Sequence, residues 1–119
     1  EPAAPQGGVT RVATLTLESG TAAVTLAYDA GTGHLFLSPS DAMVGDPRVP
    51  HLWLMMPDGD LQLVGAFNGT EPGMHNLDAP MADMANQAMA VAVSMEEPGH
   101  TPSAQPDGPV VAQGEITRL

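Results

Sequence analysis

The residues of this 119-residue chain with the clearest potential for chemistry are eight methionines and four histidines. Thioether sulfur and imidazole nitrogen are ligands that suit Cu(I), and neighbouring Met74 and His75 form the sharpest candidate pair. Met81, Met84 and His100 could complete such a site. These five residues define one alternative function, a periplasmic module that binds copper or another soft metal.

Methionine also fills irregular hydrophobic cores, and the chain repeats no tight ligand spacing. Core packing is therefore the prediction for most methionines, including Met55, Met89 and Met95, which fall within strand patterns. A third hypothesis is an oxidant sensor, because oxidation of exposed methionines to the sulfoxide would place polar atoms at packed sites. The leading interpretation includes no metal site and no cofactor.

Acidic pairs are the other candidates for a reactive site. Asp58 with Asp60, and Glu96 with Glu97, contain carboxylates that bind Ca²⁺ or act as acid and base in other proteins. The Asp58 and Asp60 pair lacks the further ligands of a calcium loop, so a solvated turn is predicted there. No serine lies in a Gly-x-Ser-x-Gly elbow, and no lysine exists for a phosphate loop. The sequence predicts a protein that is not an enzyme.

The composition excludes several classes of partner. Fourteen acidic residues face three arginines and no lysine, and the formal net charge is −11. Nucleic acids and anionic lipid headgroups attract clusters of positive charge, so both are disfavoured. The absence of cysteine excludes disulfides and thiolate metal sites. No apolar run approaches the ~20 residues of a membrane helix, so the chain itself is not expected to insert into a membrane.

The elements that must position these residues are mostly short β-strands. Residues 1–8 are rich in Pro and Gly, a composition that predicts a flexible linker or a boundary with another segment. Residues 9–119 are expected to form a single domain. Eight short runs predict strands: most alternate apolar and polar residues, His51–Met56 is bulky on both faces, and Met74–Leu77 is a candidate short strand. The runs are Val9–Leu17, Thr21–Tyr28, His34–Leu37, His51–Met56, Leu61–Phe67, Met74–Leu77, Met89–Met95 and Val110–Ile116.

This pattern predicts an all-β fold, an antiparallel immunoglobulin-like β-sandwich of about 7 to 8 short strands. A closed barrel is the main alternative. The first three strands are expected to form a meander, the His51–Met56 strand to be covered on both faces, and Gly65 to mark a bulge. At most one short helix is predicted, near Met81–Asn86, where two methionines lie three residues apart.

The stretch from Ala88 to Gly114 is the most unusual part of the chain. Larger apolar residues at Met89, Val91, Val93 and Met95 alternate with small ones, which predicts a strand buried on one face. Four prolines then prevent both helix and ladder from continuing. An ordinary hairpin loop has about 2 to 5 residues. The longer loop here predicts a crossing between sheets, or a surface on which a partner acts.

Several short motifs occur in a specific order. They are His51-Leu52-Trp53-Leu54, Pro57-Asp58-Gly59, Leu63-Val64-Gly65, Ala90 to Glu96, Pro98-Gly99-His100-Thr101-Pro102 and Gly108 to Gly114. Together they resemble the extracytoplasmic C-terminal domain of the anti-sigma-K factor family. Two positions depart from the family pattern: His51 follows a proline, and His100 stands where the family has a small residue. The signature residues are Leu52, Trp53, Leu54, Gly65, Ser94, Glu96, Pro98, Gly99, Pro102, Gly108, Pro109 and Gly114.

The resemblance implies a function for the whole protein. It implies a membrane-anchored anti-sigma factor whose cytoplasmic segment, absent from this chain, holds an alternative sigma factor. The present domain would lie on the periplasmic side of the bacterial inner membrane, tethered by a transmembrane helix that is also absent here. The resemblance implies no catalytic residues. It implies a sensor or gate for the regulatory protease that frees the sigma factor, and thereby a role in signal transduction and transcription.

Overall fold

The computed structural model describes residues 11–29, 31–40, 46–99, 102 and 105–118. In this part of the chain nine strands and one helix follow one another. They are β1 (Arg11–Leu17), β2 (Ala22–Asp29), β3 (His34–Pro39), β4 (Val49–Met55), β5 (Leu61–Ala66), β6 (Gly73–Asn76), α1 (Ala79–Gln87), β7 (Ala90–Glu96), β8 (Val110–Glu115) and β9 (Thr117–Arg118). The predicted all-β class with one short helix is confirmed.

The strands form one sheet in the order β5-β4-β7-β8-β1-β2-β3-β6, and neighbouring strands are antiparallel. Strand β9 pairs with the start of β1, beside Arg11 and Val12, while β8 pairs with its end. The sheet curls, so the architecture is sandwich-like as predicted. The predicted meander of β1, β2 and β3 is also confirmed.

The core lies on the inner face of the curled sheet. Strand residues alternate across a sheet, so alternate side chains of β1, β2, β3, β4 and β7 enter this core. Helix α1 packs on the same face, where Ala85 is buried and Met81 and Met84 contact the core from its edge. The large buried core residues of the strands are Leu15, Val24, Leu26, Tyr28, Leu35, Leu37, Leu52, Leu54, Val91, Val93 and Met95.

Helix α1 begins at a well-formed N-cap. The Asp78 carboxylate Oδ1 accepts a hydrogen bond from the Met81 N–H at 3.1 Å, and Pro80 occupies the first turn. Proline suits this position because the first-turn N–H groups have no partner within the helix. The Tyr28 hydroxyl donates to the Ala82 carbonyl oxygen at 3.4 Å and thereby ties the helix to β2.

Removing the cap should weaken the domain modestly. We expect Asp78→Ala to lower the free energy of unfolding by about 1 kcal/mol, because the Met81 N–H loses its acceptor. Urea denaturation followed by circular dichroism measures this change. Asp83→Ala removes a carboxylate of the same helix that is exposed and does not cap it, and is expected to be near neutral. Equal losses for the two variants would contradict the cap assignment.

Three expectations about the stretch from Ala88 to Gly114 are wrong. Strands β7 and β8 are direct neighbours in one sheet, so residues 97–109 join a long hairpin and do not cross between sheets. Strand β7 is also buried on both faces, from Val91 to Glu96, where burial on one face was predicted. Met89 lies before β7 and is 59% exposed, contrary to its predicted core position.

Strand β4 is buried on both faces as predicted, although it lies next to an edge strand of the sheet. The predicted bulge at Gly65 is confirmed as well. The ladder between β4 and β5 shifts between Leu52 and Trp53, and Gly65 has a φ of 147°. A residue with a side chain rarely adopts this conformation, so the bulge favours glycine.

Candidate functional site

The outer face of β4 and β7 holds polar groups that are shielded from water. Trp53 and Ser94 are each 0% exposed and Glu96 is 1% exposed. Their strand neighbours Leu52 and Val93 belong to the inner core, so these three residues point to the opposite face. Polar groups are buried in this way only when their hydrogen bonds are satisfied. The outer face therefore contains a buried site and not a solvated surface.

Three side chains of this site form a continuous hydrogen-bonded chain, here called the buried network (Trp53, Ser94 and Glu96). The Trp53 indole Nε1–H donates to Ser94 Oγ at 2.9 Å, and the Ser94 hydroxyl donates to Glu96 Oε2 at 2.6 Å. The second carboxylate oxygen, Oε1, accepts from the backbone N–H of Gly108 at 3.0 Å. The network thus runs from the sheet into the loop that follows β7.

That loop, residues 97–109, is here called the cover loop. Gly108 bonds to Glu96, and the Met95 N–H donates to the Pro109 carbonyl oxygen at 3.0 Å. Pro102 is fully buried. Gln105 and Pro106 border a groove beside β5. Gly108 and Pro109 thus hold the end of the cover loop against β7, next to Glu96 of the buried network.

Gly108 is required by this close contact. A Cβ atom at Gly108 would overlap the carbonyl oxygen of Met95 and would also approach the Glu96 carboxylate. The cover loop therefore reaches its hydrogen-bonding position only because this residue has no side chain. Gly114 has a similar role in β8, where a Cβ would overlap the Thr14 carbonyl oxygen of β1.

His51 borders the network on the same face. It lies directly opposite Ser94 in the ladder between β4 and β7 and is 4% exposed. Its Nδ1 lies 3.1 Å from the carbonyl oxygen of Val49. A carbonyl oxygen only accepts hydrogen bonds, so this contact requires the proton on Nδ1. His51 thus has a fixed orientation beside the network.

An ion pair stands at the start of β4, near the end of the cover loop. The Arg48 guanidinium contacts the Asp46 carboxylate at 2.8 Å. Arg48 also borders a surface groove together with Glu97, Asp107 and Pro109. The side-chain and backbone hydrogen bonds from Arg48 lower the pKa of Asp46 to about 2. This pair holds the residues before β4 in a defined turn.

The lowered pKa gives a direct test of the ion pair. Because folding lowers the pKa of Asp46 from 3.8 to about 2, the pair stabilises the fold above pH 3.8. That contribution is lost as the pH falls towards 2. We expect a carboxyl NMR titration to report this low pKa in the native protein and a value nearer 3.8 in Arg48→Gln. Arg118→Gln is the control and should leave the pKa of Asp46 unchanged. An Asp46 titration that is the same in the native protein and in both variants would contradict the pairing.

The structure separates the proposed copper ligands. Met74 and His75 are consecutive in β6 and therefore point to opposite faces, with Met74 51% exposed. Met81 and Met84 lie on α1 against the core. His100 is outside the described residues, as are residues 1–8. Among the residues that the structure describes, no group of three or more His, Asp or Glu side chains is placed to hold a metal ion.

The acidic pairs separate into a structural and a solvated group. Glu96 is buried in the network, whereas Glu97 is exposed, so the two carboxylates do not form a joint site. Asp58 and Asp60 are both exposed, and Asp58 Oδ1 accepts from the Asp60 N–H at 3.0 Å. The predicted solvated turn is thus confirmed.

The family signature residues fall into three structural groups. Leu52 and Leu54 lie in the inner core; Trp53, Ser94 and Glu96 form the buried network; and the remaining residues shape the backbone. Sequence analysis did not identify the network. One signal was present, because Ser94 and Glu96 lie two residues apart and must share a face of their strand.

The chemistry of the site is structural. Ser94 is completely buried, so a substrate cannot reach its hydroxyl while the cover loop is closed. Its proton is directed to Glu96, and its oxygen accepts from Trp53. Satisfied polar chains in a region of low dielectric hold packing in one arrangement. The arrangement is suited to fixing the cover loop on the sheet.

No helix in the described part of the chain is long and apolar enough to span a membrane.

Comparison with known proteins identifies the family. The family model described as anti-sigma-K factor rskA, C-terminal, matches residues 1–110, which include the whole buried network and Gly108. Neither the curated proteins nor the solved structures gave a significant match. The chain belongs to the family of anti-sigma-K factor C-terminal domains.

Proposed function

We propose that this chain is the extracytoplasmic regulatory domain of a membrane-anchored anti-sigma factor, and that its folded state gates release of an alternative sigma factor. Family membership supports a regulatory role in an anti-sigma factor and a sigma factor as partner of the whole protein. The periplasmic location, the tethering helix and the regulatory protease are parts of the proposal. The proposal assigns the domain no enzymatic activity and no resident cofactor.

The observation that supports the gating role is the contact between the cover loop and Glu96, the last residue of the buried network. Gly108 of the loop donates a hydrogen bond to Glu96 of β7, and Pro109 accepts one from the Met95 N–H. The ladders between β2 and β3 and between β4 and β7 are regular over six and seven residue pairs. Segments with few anchoring contacts open at lower free energy than the whole domain. The cover loop is therefore the element suited to open first.

Opening of the loop would change the surface of the domain in a defined way. It would expose the indole of Trp53 and the carboxylate of Glu96, which are shielded in the closed state. A signal that binds the open state better than the closed state would shift the population, and a few kcal/mol of differential binding is sufficient. The open domain would then admit the protease, whereas the closed domain would exclude it.

Transcription driven by the alternative sigma factor, measured in cells that produce the full-length protein, tests this proposal. Deleting residues 11–118 should make sigma-dependent output insensitive to the inducing condition. Gly108→Ala should raise output without a signal, because it prevents closure of the cover loop. Unchanged output and unchanged induction after the deletion would overturn the proposal.

A matched variant separates loop opening from general loss of stability. Val24→Ala removes buried volume from the inner core on β2, away from the cover loop, and is expected to lower stability by about 2 to 3 kcal/mol. If gating depends on the loop, Gly108→Ala raises output more than Val24→Ala at equal protein level. Equal outputs would assign the effect to global unfolding and contradict the loop as the gate.

A further inference from the structure

The two outer strands of the described sheet, β5 and β6, differ in how they are protected against pairing with another strand. The β5 ladder is interrupted by the bulge at Gly65, which is a common device for protecting an edge. Strand β6 pairs with β3 in a regular register over its four residues. It contains neither a proline nor a charged residue. The backbone of β6 is thus the edge on which another strand can pair.

An apolar patch lies beside this edge. Phe36 of β3 and Met74 of β6 are directly opposite each other and are 38% and 51% exposed. Leu35 belongs to the inner core, so Phe36 and Met74 both face outward. The His34 ring packs edge-on against Phe36, with ring centroids 6.2 Å apart. This patch would lie directly next to alternate side chains of a strand added to β6.

The charge around β6 favours a basic partner. Glu71 and Asp78 lie two residues before and two residues after the strand, and both are exposed. The whole chain carries a formal net charge of −11. Two copies of so acidic a chain would repel each other at this edge, whereas an extended segment with basic residues at its ends would be attracted.

We propose that the β6 edge binds an extended peptide segment of a partner protein as an added antiparallel or parallel strand. Main-chain hydrogen bonds to β6 supply the pairing, one apolar side chain covers Phe36 and Met74, and basic residues approach Glu71 and Asp78. This is strand addition, a recurring mode of peptide recognition. Because β6 has four residues, pairing is short, and the side-chain contacts must supply the selectivity.

The test uses a synthetic seven-residue peptide with alternating valine and threonine and an arginine at each end. Amide NMR of the native domain should show saturable shifts centred on Gly73–Asn76. A peptide of the same sequence with glutamate at both ends should bind about ten-fold or more weakly, a loss of about 1.4 kcal/mol. Methylation of every backbone N–H that faces the edge should abolish the shifts, because it removes the donors of the added strand.

Protein variants locate the site. Met74→Glu should weaken binding about ten-fold, a change that corresponds to about 1.4 kcal/mol. Met89→Glu is its matched control, because Met89 is 59% exposed and lies outside β6, and it should bind the peptide as the native domain does.

The double variant Glu71→Gln and Asp78→Ser removes both charges while keeping the side-chain acceptors, including the cap of α1. It should bind several-fold more weakly and lose most of the salt dependence that charged contacts produce. Glu18→Gln with Asp58→Asn makes the same charge change elsewhere and should have no effect. Equal binding by all variants, shifts away from β6, or a dimer of the free domain formed through β6 in sedimentation would each overturn the proposal.

Discussion

Gly108→Ala should lower the free energy of unfolding by about 3 kcal/mol, the sum expected for a forced backbone shift and a lost hydrogen bond. The added Cβ would overlap the carbonyl oxygen of Met95, so the cover loop must move away from β7. That movement breaks the bond from the Gly108 N–H to Glu96 and weakens the bond from Met95 to Pro109. Chemical denaturation with fluorescence detection measures the change.

The same variant should expose Trp53 in the native state. Trp53 is the only tryptophan of the chain, so its emission reports the cover loop without interference. A red-shifted emission and increased quenching by iodide are expected. Gly73→Ala is the matched control, because a Cβ there meets nothing within 4 Å and the backbone is not in a glycine-specific conformation. Native-like stability and a shielded Trp53 in Gly108→Ala would contradict the assigned loop contact.

Glu96→Ala should also lower the free energy of unfolding by about 3 kcal/mol. The substitution leaves the Ser94 hydroxyl and the Gly108 N–H without their acceptor, and each buried unsatisfied group costs about 1 to 3 kcal/mol. Glu96→Gln keeps the shape and one acceptor oxygen, so its loss should be smaller, about 1 kcal/mol. Denaturation curves for the two variants give the comparison.

The neighbouring glutamate supplies the control for this prediction. Glu97 is exposed, so Glu97→Ala should change stability by no more than about 0.5 kcal/mol. A double-mutant cycle between Ser94→Ala and Glu96→Gln should show coupling, since the two side chains share a hydrogen bond of 2.6 Å. A Glu96→Ala protein as stable as Glu97→Ala, or additive effects in the cycle, would show that the network does not hold the domain.

Local patterns in the sequence were sufficient to predict most of the elements. Apolar patterns predicted eight of the nine described strands, and the spacing of methionines predicted the helix near Met81–Asn86. Strand β9, with two exposed residues, has too little pattern to be recognised. The bulge at Gly65 and the two-sided burial of β4 followed from residue type alone.

The buried network could not be predicted because it depends on strand order. Trp53 and Ser94 are 41 residues apart, and Glu96 and Gly108 are 12 apart. Nothing local shows that β4 and β7 are neighbours or that the loop after β7 folds back over them. The prediction that β7 is buried on one face was wrong for the same reason, because burial of its second face depends on contacts with residues that are distant in the sequence.

The methionines illustrate a different limit. Residue type predicted core packing, which holds for Met95 and fails for Met89. Both occur in the same alternating series, but the strand begins only at Ala90, so Met89 lies just before its first residue. Sequence patterns locate the ends of strands least accurately. The strand begins one residue later than the pattern predicted, so the Met89 side chain lies at the surface and not in the interior.

Hydrogen exchange measured by NMR distinguishes a cover loop that opens as a separate unit from one that opens only when the whole domain unfolds. We predict that the Trp53 indole N–H and the Gly108 amide exchange at a common rate, faster than the amides of β1 and β2. Gly108→Ala should accelerate exchange of the Trp53 indole N–H while leaving the rates in β1 and β2 nearly unchanged. If all of these protons exchange together in the native protein, and the variant accelerates them equally, the cover loop opens only with global unfolding and the gating account is wrong.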